Sequence, residues 1–278
     1  MSAKGTSGLR PPDALDAMDA LDALDAGPPA AVAAPATSRA PLMRKVEFAW
    51  ALPGGGVGEG SRLVPALPAF EEAFAAFARG TLFATPRGLV GVEDLWPGME
   101  VRVAGGAMRR LLWRGSTAVV PMTSVSGSAR VGPAMTRLTR ISADALGVSR
   151  PTENLVLGPH ARVVRRGPAV RALAGAEAAL VPASDLADGD GVTALSPASP
   201  VPVFHLGFER HERLDAHGVE VESQHPGPHP GPLAAAGLSA ELLDVWLSCF
   251  PHRRALADWG PAALPRLSGQ DLALFDAA

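Results

Sequence analysis

The stretch that decides the fold is residues 80–101, which read GTLFATPRGLVGVEDLWPGMEV. Short runs of Val and Leu alternate there with two turn segments, Pro86-Arg87-Gly88 and Trp96-Pro97-Gly98. Gly and Pro supply the backbone angles that tight turns require, so turn segments at this regular spacing are typical of hairpins. The stretch therefore predicts a meander or barrel-like sheet of short strands.

The same pattern extends in both directions along the chain. Upstream, residues 44–52 alternate between apolar and polar in the way of a half-buried strand, and three glycines end the run. Downstream, further strands are predicted within residues 111–120, 155–164, 179–181 and 201–208. The chain contains 30 Gly and 27 Pro, which disfavours long helices. A mostly β fold follows, with only short helices.

Three short helices are predicted. Phe70, Phe74 and Phe77 follow helical spacing between Pro68 and Gly80, so they predict a helix that packs its aromatic stripe into the core. Near the C-terminus, an apolar face runs from Leu242 to Phe250, with Ser239 as the N-cap and Pro251 as the stop. A third helix is predicted to begin at Ser268. The two C-terminal helices are expected to cover a sheet edge.

The composition divides the chain into five segments. Asp recurs at every third position from Asp13 to Asp25, and a period of three forms no apolar stripe on a helix, so this tract is expected to lack a packed structure. We predict a low-complexity tail at 1–42, a lead-in strand and helix at 43–75, the main β domain at 76–223, a Pro/Gly/His linker at 224–235 and a helical segment at 236–278.

The net charge and the cysteine count exclude some classes of binding partner and some kinds of site. A net charge of −3 gives no basic field for nucleic acid, and the single cysteine, Cys249, excludes an internal disulfide and a multi-cysteine zinc site. No run reaches the roughly 20 apolar residues that span a bilayer, and no signal peptide is recognised at the N-terminus. The expected location is the cytoplasm by default, with export by a signal-free route left open. The sequence predicts no cofactor. It allows a protein partner but does not indicate which one.

Three further segments join residues 80–101 in a common motif order. They are LVLGPHARV at 155–163, LVPA at 180–183 followed by Leu186, and FHLGFERHE at 204–212 with Gly218 and Glu222-Ser223 after it. Together these segments resemble the Hint domain, the module shared by hedgehog autoprocessing regions and inteins, in its bacterial form. The resemblance spans about residues 75–225 and implies a compact all-β disc of short strands and hairpins.

The resemblance also implies a chemistry whose residues are missing. In Hint domains a Cys or Ser attacks the carbonyl of its own preceding peptide bond, and a block histidine then assists the leaving nitrogen. The nucleophile position falls on Ala76, the block histidine on Ala161 and the family's Ser/Thr on Gly158. Splicing also ends with a C-terminal asparagine, whereas Asn154 is the only one here and lies mid-domain. Self-cleavage is therefore expected to be lost in this chain.

A few side chains remain candidates for catalysis or metal binding. His160 lies one residue before the block position, so it is either a substitute general acid or a turn histidine. The others are Thr81, His205 and His211 for catalysis and His205, Glu209 and His211 for a metal, the last three sharing parity on a predicted strand. His225 and His229 are expected to be solvated in the linker.

Three hypotheses for the function remain open. The first is a degenerate Hint domain kept as a binding or structural module. The second is an active autoproteolytic domain in which Ser61, Thr81 or His160 acts in an unusual geometry. The third is an interaction scaffold that recruits a partner through the acidic N-terminal tract and the C-terminal helices.

Overall fold

The computed structural model describes residue 1 and residues 42–122, 133–227 and 238–276. Almost all of the predicted N-terminal tail and most of the predicted linker therefore lie outside the described residues. The chain from residue 41 onward forms one compact unit. The prediction of a mostly β fold with short helices is confirmed.

Sixteen strands, numbered in chain order, occur within the described residues. They are β1 (Met43–Ala51), β2 (Val57–Pro65), β3 (Phe77–Ala78), β4 (Leu82–Thr85), β5 (Gly88–Gly91), β6 (Glu100–Arg102), β7 (Met108–Arg110), β8 (Trp113–Val119), β9 (Leu138–Ile141), β10 (Leu155–Leu157), β11 (Arg162–Arg166), β12 (Ala178–Pro182), β13 (Val192–Leu195), β14 (Val201–Gly207), β15 (Arg213–Ala216) and β16 (Val219–Glu222).

These strands form two large antiparallel sheets and one hairpin. The first sheet has eight strands in the order β13-β9-β10-β3-β14-β8-β1-β2, and the second has six in the order β12-β11-β16-β15-β4-β5. Strands β6 and β7 pair separately. The opening stretch 80–101 accordingly forms β4 and β5 of the second sheet and then enters the separate hairpin at β6.

Four α-helices accompany the sheets within the described residues: α1 (Pro68–Phe74), α2 (Pro168–Ala174), α3 (Ala240–Leu247) and α4 (Gly269–Asp276). Helix α3 begins as predicted, because the Ser239 hydroxyl accepts from the Leu242 N–H at 3.3 Å. It ends at Leu247, before the predicted stop at Pro251. Helix α2 was not predicted.

The predicted helix with three phenylalanines ends earlier than expected. Helix α1 stops at Phe74, because Ala75 leaves the helical region with φ −120° and ψ 54°. Phe77 instead lies in β3, where it pairs with Leu157 and Phe204. All three rings are buried, as predicted, but Phe70 and Phe74 pack in a different cluster from Phe77.

Two large clusters of buried side chains and one smaller cluster make up the core. The main cluster joins side chains of both large sheets and includes Phe77, Phe83 and Leu157. The second, which we call the flank core, joins side chains of β1, β2 and α1 to Trp113 and to the C-terminal segment. In the flank core, the Trp113 and Phe250 rings lie 4.6 Å apart and the Trp246 and Phe250 rings 4.4 Å apart. The lead-in and C-terminal segments thus fold against each other.

Two expectations for the C-terminal part change. An extended segment, not a helix, covers the free edge of β12: Leu180 donates to the Pro265 carbonyl at 2.8 Å and accepts from Leu267 at 2.9 Å. The predicted linker also begins later, since Gln224 and His225 are buried. Gln224 donates to the Leu206 carbonyl and accepts from the Trp259 indole, so these residues belong to the folded unit. The remaining predicted segment boundaries stay predictions.

Candidate functional site

The Ala75–Ala76 peptide bond is hydrogen-bonded to two of the motif segments, 155–163 and 204–212. The Ala76 N–H donates to the Phe204 carbonyl at 3.0 Å, and the Ala75 carbonyl accepts from the His160 N–H at 3.0 Å. The Ala76 carbonyl in turn accepts from the Gly158 N–H at 2.7 Å. Both alanines are at most 1% exposed. The backbone around the bond is therefore fully hydrogen-bonded and closed to solvent.

No nucleophilic side chain is directed at this bond among the candidates. Ala76 carries only a methyl group. The Thr81 hydroxyl is buried and donates to the Ala78 carbonyl at 2.8 Å, so its proton is already engaged. Ser61 lies exposed on β2, at the outer edge of the first sheet. A hydroxyl or thiol next to the carbonyl, which acyl transfer requires, is not found at these positions.

Gly158 is held so close to the bond that it has no room for a side chain. A Cβ at Gly158 would lie 2.5 Å from the Ala75 carbonyl oxygen. Real Cβ atoms do not approach a backbone oxygen this closely, so a residue with a side chain would have to displace one of the two segments. The Ser or Thr that the family places here cannot be accommodated in this backbone arrangement.

Ala161, at the block-histidine position, and His160, one residue before it, have different surroundings. Ala161 is 1% exposed and packs in the main core. The His160 ring is half-buried, with Nε2 at 3.9 Å from Glu71 Oε2. Glu71 is itself bound by Arg44 at 2.8 Å. His160 thus contacts the peptide bond through its backbone N–H, while its ring faces an acidic partner.

Glu71 was not singled out in the sequence, although it lies at the centre of this small network. It sits in α1 and is 4% exposed. Burial raises the pKa of its carboxyl, but the contacts with His160 and Arg44 outweigh burial and lower the pKa below its usual value. The charged form is therefore the stable one. The only feature of the sequence that could have indicated its burial is its position directly after Phe70, a residue predicted to lie in the core.

His205 lies on β14, directly after Phe204, whose carbonyl accepts from Ala76. Its Nδ1 is 3.1 Å from the Glu72 carbonyl oxygen, and the ring meets Phe77 edge-on with centroids 5.6 Å apart. A carbonyl can only accept, so the Nδ1 atom carries the proton and Nε2 is the free acceptor. Burial lowers the pKa of His205 to about 4. The ring is consequently neutral at physiological pH and supports the chain just upstream of Ala76.

His211 belongs to a buried ionic network instead. Its Nε2 lies 3.1 Å from Glu222 Oε1, and its Nδ1 accepts from the Ala263 N–H at 2.9 Å. Glu222 is also bound by Arg266 at 2.8 Å and by Arg162 at 3.4 Å. Burial opposes the charge on Glu222, yet these partners lower the pKa of its carboxyl far below the ordinary value. The network stabilises a buried carboxylate.

The proposed metal triad is not assembled. Strand β14 ends at Gly207, so Glu209 does not share a strand face with His205. His205 bonds to the Glu72 carbonyl, and His211 faces Glu222. His225, expected in a solvated loop, is buried with its ring stacked 4.4 Å from that of His211. Among the described residues, no group of three or more His, Cys, Asp or Glu side chains could hold a metal ion.

Acid is expected to destabilise the protein between pH 7 and pH 5. Burial lowers the pKa of His205 and His225 to about 4, from an ordinary value of 6.5. The unfolded chain therefore binds protons in this window that the folded chain rejects, so stability falls as the pH falls. Each such histidine costs about 2 kcal/mol between pH 7 and pH 5.

The variant His205→Leu tests this assignment. It loses the bond to the Glu72 carbonyl, so we expect lower stability at pH 7 but a smaller further loss at pH 5 than in the unmodified chain. Urea unfolding at the two pH values measures both quantities. An unchanged pH dependence in the variant would show that His205 is not one of the titrating groups.

A family model supports the resemblance drawn from the motif segments. The family model described as Hint domain matches residues 75–228. A solved structure, the solution structure of a bacterial intein-like domain from Clostridium thermocellum, is 15% identical with a TM-score of 0.35, and the match covers 54% of this chain and 98% of that one. No curated protein matches the chain. In addition, no helix among the described residues is long and apolar enough to cross a membrane. Because the family model covers more than half of the 278 residues, the chain belongs to the Hint domain family.

Proposed function

We propose that this protein is a Hint domain that has lost self-cleavage and acts as a binding or structural module. The observation that carries the proposal is the Ala75–Ala76 peptide bond itself. It lies where the family's reaction would take place, with a methyl group in place of the nucleophile and three backbone hydrogen bonds around it. The block-histidine position, Ala161, offers no proton donor either.

The packing of the flanking segments supports the same proposal. The segment before Ala76 supplies β1, which pairs with β2 on one side and with β8 on the other. Helix α1 contacts the C-terminal segment directly, because the Trp246 indole donates to the Ala69 carbonyl at 3.0 Å. A cut after Ala75 would leave these contacts in place. The arrangement is that of a permanent unit and not of a domain that releases its neighbours.

Intact mass tests the proposal directly. We expect the purified chain to keep its full mass of 28.6 kDa at neutral pH, with or without a strong thiol or hydroxylamine. Both reagents trap the thioester or ester that a Hint reaction forms. Fragments that separate near residue 75 would overturn the proposal and favour autoproteolysis by a non-standard nucleophile.

Ala76→Cys is the matched variant, because it returns a thiol to the position that follows the Ala75 carbonyl. We expect this variant to stay intact as well, since the Ala76 N–H donates to the Phe204 carbonyl and the block-histidine position, Ala161, has no side chain that can donate a proton. Thiol-dependent cleavage of the variant, with none in the unmodified chain, would instead assign the loss to the nucleophile alone.

A further inference from the structure

Strand β2 forms one edge of the eight-stranded sheet and has an unpaired side. It pairs with β1 over its whole length of nine residues, and none of the described residues pairs with its other side. Val57, Glu59, Ser61 and Leu63 are exposed, and Leu63 retains 66% of its accessible surface. An exposed strand edge of this length is a template for a further strand.

The hydrogen-bond register shows which backbone groups are available. Ala66 donates to the Leu42 carbonyl, and Leu52 donates to the Gly56 carbonyl, so the bonded pairs between β1 and β2 fall on even-numbered residues. Bonded and non-bonded pairs alternate in an antiparallel ladder. The N–H and C=O groups of the odd-numbered residues Glu59, Ser61 and Leu63 therefore point away from β1, toward the unpaired side.

The side chains of Glu59, Ser61 and Leu63 lie on one face of the strand. Two of them, Glu59 and Ser61, line a groove of about 440 Å³ whose other polar side chains include Glu47, Arg114 and Ser116. Glu59 closes no salt bridge among the described residues. The Arg114 guanidinium donates to the Glu93 and Leu95 carbonyls and lies 4.3 Å from the Trp96 ring centroid. Arg114 attracts the Glu59 carboxylate across the groove, but the two form no direct ion pair, so the carboxylate can still contact an external cation.

The geometry points to β2 as a docking strand for an extended, basic segment of a partner protein. The segment would add to the sheet antiparallel to β2 through the outward groups of Glu59, Ser61 and Leu63. A Lys or Arg would lie opposite Glu59, and an apolar residue would lie opposite Leu63, four residues earlier in the partner. Main-chain bonds would supply affinity, and these two contacts would supply selectivity.

A second copy of this chain fits the edge less well. The faces of the two sheets match only when residues of equal parity pair, and the two-fold axes that pair most of β2 with its copy lie on Ser61, Gly60 or Arg62. The Glu59 carboxylate would then lie opposite Leu63, Ser61 or Pro65, respectively. None of these arrangements gives Glu59 a cation. Charge complementarity therefore favours a basic partner.

This inference rests on the proposed binding role, and its test is separate from the mass assay. The probe is an amidated threonine peptide of nine residues, matching β2, with valine four residues before lysine. We titrate it into the full-length, ¹⁵N-labelled chain. Addition of a strand shifts the amides of Val57, Glu59, Ser61 and Leu63, while those of Gly58, Gly60 and Arg62, already bonded to β1, move little.

Three variants make the result decisive. Ser61→Pro removes one outward N–H from an edge position where Pro is tolerated, so we expect affinity to fall about ten-fold, whereas Ser61→Ala keeps the N–H and changes it less than about two-fold. Glu59→Lys weakens the lysine peptide about five-fold and favours a matched glutamate peptide. This charge swap stays informative if Ser61→Pro does not fold.

Other outcomes would overturn the inference. Shifts that map elsewhere, no shifts at millimolar peptide, or an unchanged preference in Glu59→Lys would show that the edge does not take a basic strand. Concentration-dependent protection of the outward amides without peptide would identify a second copy as the occupant. Self-cleavage in the mass assay would contradict the proposed function and leave the edge measurement intact.

Discussion

Glu222→Gln is expected to lower the free energy of unfolding by about 3–5 kcal/mol at pH 7, because removing one charge from a buried ion network leaves its partners uncompensated. The Glu222 carboxylate is 2% exposed and faces Arg162, Arg266 and His211. Arg162 keeps a second partner in Glu72, at 3.2 Å. Among the described residues, the Arg266 side chain donates elsewhere only to the His225 carbonyl, so it bears most of the loss.

Glu220→Gln is the matched control on the same strand. Glu220 also binds two arginines, Arg166 at 2.6 Å and Arg213 at 2.8 Å, but 27% of its side chain is exposed. Water screens such a pair, so we expect a loss of at most about 1 kcal/mol. Urea unfolding of both variants gives the comparison. Equal losses would mean that burial does not set the strength of the Glu222 network.

Trp246→Ala is expected to lower the free energy of unfolding by about 3–5 kcal/mol, since it removes a large buried ring from the flank core. Trp246 is 1% exposed and packs against Phe250 and Trp259. Its indole also donates to the Ala69 carbonyl of α1, which would lose this partner. The variant therefore weakens the contact between the segments before and after the main β domain.

Asp244→Ala controls for this change on the same helix. Asp244 is exposed in α3, so its replacement alters neither the flank core nor a buried hydrogen bond, and we expect a change within about 0.5 kcal/mol. Chemical unfolding with tryptophan fluorescence follows both variants. A small loss in Trp246→Ala, close to that of the control, would show that the C-terminal segment contributes little to the folded unit.

The parts of the fold that could be predicted are those with local signals. Turn residues between short apolar runs indicated the β meander, and the cap at Ser239 indicated the start of α3. The site could be placed on Ala76 because the four motif segments kept their order along the chain. Local patterns specify such features independently of distant residues.

Strand β2 could not be predicted, because the side chains that stabilise it belong to another strand, β1. It contains Gly58 and Gly60, which disfavour a strand on their own. The Trp50 and Phe48 rings from β1 lie against these glycines, at 2.5 Å and 2.9 Å from where a Cβ would stand. The glycines therefore make room for aromatic rings from the paired strand. Only the tertiary structure contains this information.

Phe77 and Glu222 show two further limits. Phe77 fits a helical period, but a change in the backbone at Ala75 transfers it to a strand, and a period cannot indicate that break. Glu222 resembles a solvated charge on a strand, yet its partners Arg162 and Arg266 come from positions 60 and 44 residues away. Long-range pairs of this kind leave no local pattern.

The flank core extends the structural unit beyond the residues that the family model matches. Of its twelve buried members among the described residues, only Trp113 falls within the 75–228 that the family model matches. A gene segment cut to the family boundaries would carry Trp113 to a new host without the rings that surround it. The unit that could be transferred with its packing intact is therefore larger than the unit that sequence similarity delimits.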